Sequence, residues 1–234
     1  MKAIIKKELR SYFLSPIGYV VVGAILFLFG FYFWQVLLFQ MSSYVADVYG
    51  TMFIWCMMII PIITMRSFSE EIRNKTDQAL LTSPVGVGSI VFGKFLAAFL
   101  VFAIAVIGSL IPVVVMSFFS SLDWATTFGN VVGSLLYGAA MISIGIFISA
   151  LTQSQIVAAI ATFGISIFLL VINQLSGVVG GTFFTNLIDW ISFNTRYKPF
   201  TQGIFNVPSI VFFASIVAIF CFLTARKLES RRWS

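Results

Sequence analysis

The chain has 234 residues, of which 60% are hydrophobic and only 9% are charged, and its mean hydropathy is +1.05. Soluble domains usually carry about 25% charged residues, so a chain this apolar cannot cover a surface that faces water, and a soluble globular protein is excluded. Histidine is absent from the sequence, which removes the commonest metal ligand and the commonest general base. Cys56 and Cys221 both lie in apolar segments, so no disulfide framework is predicted.

Residues 1–15, which read MKAIIKKELRSYFLS, place apolar side chains at helical spacing on one face and basic side chains on the other. This pattern predicts a basic amphipathic helix that lies in the membrane interface. Pro16 then ends the helix, because proline does not fit a helix interior. The apolar run that follows is too long for a signal peptide and has no cleavage site after it, so it is predicted to be a retained first span.

Six apolar segments account for nearly all of the remaining chain, and a bilayer crossing takes roughly 20 apolar residues. The spans are predicted at about 17–38, 51–65, 88–118, 128–151, 156–175 and 208–225. We expect Pro61 to kink the second span and Pro112 to bend the long third one. The sequence therefore predicts a single all-α transmembrane domain over residues 1–234, folded as a six-helix polytopic bundle.

Two connections carry most of the remaining information. Residues 66–83, RSFSEEIRNKTDQALLTS, are the most polar stretch and contain charge pairs at the spacing of a helix surface. These pairs are Arg66/Glu70, Glu70/Arg73 and Glu71/Lys75. The stretch is either a solvated helix whose charges satisfy one another or a docking helix for a cytoplasmic partner. Residues 177–207 contain amphipathic pieces that predict short helices at the outer leaflet.

Basic residues predict the orientation. The N-terminal segment, the region 66–94 and the C-terminal tail hold twelve of the 14 basic residues, and the opposite side holds only Arg196 and Lys198. Both termini are therefore predicted to be cytoplasmic, and the net charge of +6 reflects topology rather than a nucleic-acid site. All 22 charged residues can be placed in loops, interfaces or tails, which disfavours an ion-coupled carrier or a channel.

Glycines recur at motif-like spacing in the third and the fourth predicted spans. The string from Gly88 to Lys94 fits G-x-x-x-x-G-K, but a P-loop needs Ser or Thr after the lysine and a strand before the loop. We therefore reject a nucleotide site and expect Lys94 to extend to the cytoplasmic interface. Gly129, Gly133 and Gly138 form a face for close helix packing in the fourth span, either within the chain or between two protomers.

Four segments together resemble the permease subunits of ABC-2 type transporters. They are IIKKELRSYFLSPIGYV, RSFSEEIRNKTDQALLTSPV with IVFGKFLAAFLV, ISALTQSQIVAAIATF, and the amphipathic segment before the last span. Within that group the chain is most similar to the gliding-motility-associated permeases. The resemblance implies a homodimeric or paired permease and two separate ATP-binding subunits on the cytoplasmic side. The residues that it implies in the ATPase contact are Lys6, Glu8, Arg10, Glu70, Glu71, Thr76 and Asp77. The family's usual Gly before that Thr is Lys75 here.

We therefore expect a multi-pass protein of the bacterial inner membrane that serves as the permease subunit of an ABC exporter. No catalytic, cofactor-binding or metal-binding residue is predicted in this chain; ATP and magnesium are expected in the partner ATPase. The other expected partners are a second permease protomer and membrane lipid, and no nucleic acid. The alternative function is a membrane component of an ATPase-driven motility or envelope-remodelling machine.

Overall fold

The computed structural model describes residues 1–38, 45–76, 85–118, 123–175, 190 and 192–232. Within these residues the chain is α-helical and has no β-strand. The main helices are α1 Lys2–Leu14, α2 Pro16–Leu38, α3 Val45–Thr64, α4 Ser69–Arg73, α5 Val87–Gly108, α6 Leu110–Ser117, α7 Trp124–Leu151, α8 Gln155–Leu175, α9 Phe193–Thr201 and α10 Val207–Arg232.

Six helical segments of the described chain are long and apolar enough to cross a membrane. They are Pro16–Gln35, Val48–Arg73, Val87–Ser117, Trp124–Leu151, Gln155–Ile172 and Val207–Arg231. The predicted all-α fold with six membrane spans is therefore confirmed. The third of these segments contains both α5 and α6, and the second includes the turn and short helix that follow α3.

The predicted N-terminal helix is present as α1 and is separated from α2 by Ser15, whose backbone is extended. Pro16 is the first residue of α2, a position where its missing N–H leaves no helical hydrogen bond unmade. A Cβ on Gly18 would lie 2.5 Å from the carbonyl oxygen of Tyr12. The end of α1 and the first turn of α2 therefore pack with almost no space between them.

The two prolines that were expected to distort spans behave differently. Pro61 lies inside α3 without ending it. The long third span is interrupted at Ser109, one turn before Pro112, so that α5 and α6 are separate helices. A proline ring clashes with the carbonyl group four residues earlier, which here belongs to Gly108. The helix interruption therefore precedes Pro112, and the Ser109 hydroxyl donates a 2.6 Å hydrogen bond to the carbonyl oxygen of Val106.

Helix α7 occupies the centre of the bundle, and most of its length is buried against other helices. A Cβ added to Gly129 or Gly133 would meet Phe200 of α9, and one added to Gly138 would overlap the ring of Phe102 in α5. At Gly133 and Gly138 a large aromatic side chain of a neighbouring helix occupies the space that the glycine leaves, whereas at Gly129 the neighbouring atom is the backbone carbonyl oxygen of Phe200. The close packing at this glycine face is within the chain.

The segment before the last span is described at residue 190 and from residue 192 onwards, and residues 177–189 lie outside the described residues. It contains the short helix α9, whose Phe193, Tyr197 and Phe200 are buried. The Tyr197 hydroxyl lies 3.1 Å from the Ser134 hydroxyl of α7. This helix therefore inserts into the bundle rather than only resting on its surface.

Candidate functional site

A buried lysine organises one end of the bundle. The Lys94 ammonium in α5 donates to Glu8 Oε1 of α1 at 2.9 Å and to the carbonyl oxygen of Ser67 at 2.8 Å, and it lies 3.0 Å from Glu71 Oε1 of α4. Lys7 forms a second ion pair with the same Glu71 oxygen at 3.3 Å. We call Lys7, Glu8, Glu71 and Lys94 the Lys94 cluster.

The cluster satisfies the requirements for a charge inside a protein. An ammonium has three donors, and those of Lys94 face three acceptors from three different parts of the chain. Two positive and two negative side chains balance, and the ammonium also lies 5.0 Å from the centre of the Phe68 ring. A buried charge without such partners would be strongly destabilising. The cluster therefore holds α1, α4 and α5 together.

Lys94 was expected to extend to the cytoplasmic interface, and its side chain is in fact only 2% exposed, so the ammonium ends among protein groups rather than in water. The physical reason is that α1 covers this part of α5. A Cβ on Gly93 would lie 3.0 Å from Ile4 Cγ2, so the glycine permits α1 to pack closely beside the lysine.

The G-x-x-x-x-G-K string lies entirely within α5. A P-loop, in contrast, is a loop that joins a strand to a helix. Here Gly93 serves helix packing, and Lys94 forms ion pairs within the chain. The geometry of this string is therefore that of a helix contact and not of a phosphate site.

Arg66 makes a second connection between the turn after α3 and the N-terminal helix. Its guanidinium donates to the hydroxyls of Ser11 at 2.8 Å and Ser15 at 2.9 Å, and lies over the ring of Tyr12. Its Nε lies 3.6 Å from Glu70 Oε2, so the predicted Arg66/Glu70 pair is present. Arg66 thereby secures the junction between α1 and α2.

In the described part of residues 66–83, helix is confined to α4, Ser69–Arg73, with Asn74 as its C-cap. Lys75 has a φ of 57°, a left-handed conformation that side chains other than glycine disfavour. The helix therefore ends there instead of continuing. The predicted Glu71/Lys75 pair is replaced by the contacts of Glu71 with Lys94 and Lys7.

The turn that carries α4 is also supported by α7. The Ser149 hydroxyl accepts hydrogen bonds from the backbone N–H groups of Phe68 at 3.0 Å and Ser69 at 3.1 Å, and donates to the carbonyl oxygen of Met65. These N–H groups belong to the start of α4, where a helix has no internal acceptors. The central helix of the bundle thus fixes the position of α4.

Tyr12 completes the attachment of α1. Its hydroxyl donates a 2.8 Å hydrogen bond to the carbonyl oxygen of Ile63 at the end of α3. Burial raises the pKa of Tyr12 to about 12, although its hydrogen bond with Ser67 acts in the opposite direction. The phenol therefore stays protonated and remains a hydrogen-bond donor at neutral pH.

A cavity of about 240 Å³ lies between α1, α4 and the start of α5. It is lined by Lys7, Glu8, Ser11, Tyr12, Arg66, Ser67, Glu70, Glu71, Asn74, Thr76 and Lys94. Four of the seven residues implied in ATPase contact are thus brought together: Glu8, Glu70, Glu71 and Thr76. Lys6 and Arg10 line other cavities along α1, and Asp77 lies outside the described residues.

Sequence reasoning missed the central role of Lys94, although it selected Glu8 and Glu71. Glu8 and Lys94 are 86 positions apart, and no local spacing relates them. The available signal was that Lys94 stands alone, with a glycine beside it and no other charge up to residue 122. A small residue in a span permits close approach of another helix, so Gly93 was the local sign that a helix could cover Lys94.

These observations define a multi-pass membrane protein whose N-terminal helix and short polar helix α4 are joined at one end of a six-span bundle. The chain matches the family model described as ABC-2 family transporter protein over residues 2–225. It belongs to this family and is a membrane component of an ABC-2 family transporter. The family implies an ABC ATPase partner in general. No curated protein sequence matches the chain.

Proposed function

We propose that this chain is the permease subunit of an exporter that is powered by ATP hydrolysis in a separate cytoplasmic ATPase. The observation that carries the proposal is the Lys94 cluster, which joins α4 to the N-terminal helix and to a membrane span through one buried ammonium. A force applied to α4 would act directly on α1 and α5. Such a connection is what a permease without its own ATP site requires.

The proposed orientation places the Lys94 cluster on the cytoplasmic side, where ATP is available. Twelve of the 14 basic residues lie in the N-terminal segment, the region 66–94 and the C-terminal tail, and basic residues are enriched in cytoplasmic segments. Both termini would then be cytoplasmic, and α9 would lie at the outer end of the bundle. This arrangement corresponds to a bacterial inner-membrane protein.

The implied contact residues divide into two roles in this proposal. Glu70 is 41% exposed, and Thr76 is also exposed, so both are available to touch the ATPase. Asp77, which lies outside the described residues, is proposed as a contact from the family resemblance alone. Glu8 and Glu71 are occupied by Lys94 and would transmit the movement of the docked surface rather than form it. A second permease protomer, identical or related, would complete the transporter.

The resemblance to gliding-motility-associated permeases supports one alternative, in which the same ATPase coupling drives motility or envelope remodelling. The mechanical connection from α4 to α5 would serve both functions. A transport assay distinguishes them, since only the exporter requires movement of a substrate across the membrane. Docking of the ATPase is required by both functions, so a docking experiment tests both alike.

Docking through α4 is tested by reversing the charge of Glu70 and measuring co-purification with the ATPase, sought as the P-loop ATPase encoded beside this gene. Glu70→Lys should reduce both the recovery of the ATPase and the ATP turnover of the complex, because an attractive contact becomes repulsive. Glu229→Lys is the matched control, since Glu229 is 49% exposed and also pairs with a nearby arginine. Equal recovery with both variants would contradict docking through this part of α4.

A further inference from the structure

An apolar groove runs between α1 and the side of α5 that faces away from the bundle centre. Its volume is about 610 Å³. The apolar side chains that line it are Ile5, Leu9 and Phe13 of α1 and Leu100 and Ile104 of α5. Leu100 and Ile104 are exposed, as are Ile107 and Ile111 further along the same path. The groove is therefore continuous with the apolar surface that a membrane span presents to lipid.

Basic side chains form one rim of this groove. Lys2, Lys6 and Arg10 stand four residues apart on α1 and line the groove beside its apolar wall. Residues at this spacing share one face of a helix. In the part of the chain that the structure describes, none of the ion pairs involves these three side chains. Their charges are thus available to a ligand.

A basic pocket of about 700 Å³ lies on the other side of the same rim. It is lined by Lys6, Lys7, Arg10 and Arg66 together with Ala3, Ser11, Leu14 and Ser15, and no carboxylate is among these residues. Lys6 and Arg10 line both the apolar groove and this basic pocket. These two side chains therefore separate an apolar groove from a basic pocket.

We propose that this surface is a binding site for an anionic phospholipid. An acyl chain would lie in the groove against Leu9 and Ile104, and the phosphate and anionic headgroup would lie between Lys6 and Arg10. The ligand must combine a long apolar part with negative charge, because the two chemistries stand side by side on one helix. A free anion would use the basic pocket but would leave the apolar groove uncovered.

The lipid site is distinct from the Lys94 cluster although both use α1. Glu8 lies two residues from both Lys6 and Arg10, and helical residues two apart point about 160° away from each other. Glu8 faces Lys94, whereas Lys6 and Arg10 are exposed. Replacing the two exposed side chains therefore leaves the ion pairs of the cluster in place.

The binding test uses the purified full-length chain and native mass spectrometry, with phosphatidylglycerol and phosphatidylcholine of identical acyl chains at equal concentration. The wild-type chain should retain phosphatidylglycerol preferentially. The double variant Lys6→Gln/Arg10→Gln should lose most of this preference, by roughly 30-fold for two basic residues at the headgroup. The matched control is Lys227→Gln/Arg231→Gln, which removes a lysine and an arginine at the same spacing from α10 and should keep the preference.

Further measurements separate a lipid site from general charge attraction, a simple anion pocket and an ATPase contact. Ile104→Gln should weaken retention of both lipids, because it places a polar group in the groove. Equal loss of preference in the Lys227/Arg231 control would mean general charge attraction and would overturn the site. Displacement of the lipid by an equal concentration of inorganic phosphate would indicate a simple anion pocket and would also overturn it. If the Lys6→Gln/Arg10→Gln variant lost the ATPase but retained lipid like the wild type, the lipid site would also be overturned. If Glu70→Lys did not affect docking, the lipid site would stand, because that result concerns only the proposed ATPase contact.

Discussion

Replacing Lys94 by methionine removes the ammonium while it retains a long apolar side chain of similar length. Glu8 and Glu71 are 13% and 14% exposed, so both carboxylates remain largely shielded from water after the change. Glu71 keeps its ion pair with Lys7, but Glu8 loses the only ion pair that the described residues provide for it. Removing one partner of a buried ion pair typically costs about 3–5 kcal/mol, and we expect Lys94→Met to destabilise the chain by that amount.

Denaturant titration of the purified chain in mixed micelles measures this loss of unfolding free energy. Lys7→Met is the control, because Lys7 is 62% exposed and exposed ion pairs are worth only about 0–1 kcal/mol. The double variant Lys94→Met/Glu8→Gln should recover part of the lost stability, since it no longer leaves Glu8 charged and unpaired. A Lys94→Met protein as stable as Lys7→Met would refute the view that the cluster holds α1 and α4 to the bundle.

Three further predictions concern the backbone, the core and the topology. Lys75→Gly should stabilise the chain by about 1 kcal/mol in the same denaturant titration, because glycine adopts a positive φ without the strain of a side chain; Lys75→Ala should bring no such gain. Gly138→Ala should lower the melting temperature, since the added methyl group overlaps Phe102, whereas Gly164→Ala meets nothing within 4 Å and should stabilise its helix by up to about 1 kcal/mol. A reporter fused at Arg196 should be external, and a cytoplasmic signal there would contradict the six-span topology.

Features that depend on residues close together in the sequence were predicted correctly more often than features that depend on contacts between distant segments. Membrane spans were readable because lipid exposure demands about 20 apolar residues in sequence, and this requirement is local. The break between α1 and α2 was readable for the same reason, since Pro16 acts on its own helix. A distortion at Pro112 was expected, and the helix is interrupted three residues earlier, at Ser109, because the proline acts on backbone groups of the preceding turn.

The candidate site was only partly predictable. Glu8, Glu70 and Glu71 were selected through the family resemblance, yet their different roles depend on exposure, which one sequence does not reveal. Glu71 was expected to pair with Lys75 because the two are four residues apart. The left-handed backbone at Lys75 ends the helix, so the local pair does not form and Glu71 faces Lys94 instead.

The amino-acid sequence by itself determined that this chain is a membrane protein, how many times it can cross the bilayer, and where its charged segments lie. These features depend on hydrophobicity and helix periodicity, which act over neighbouring residues. Only the tertiary structure decided that Lys94 is buried and that Gly133 and Gly138 of α7 accommodate aromatic side chains of the same chain. Both facts arise where helices distant in sequence come within contact. A lysine can be buried there because two carboxylates and a carbonyl oxygen from other elements replace the water that it loses.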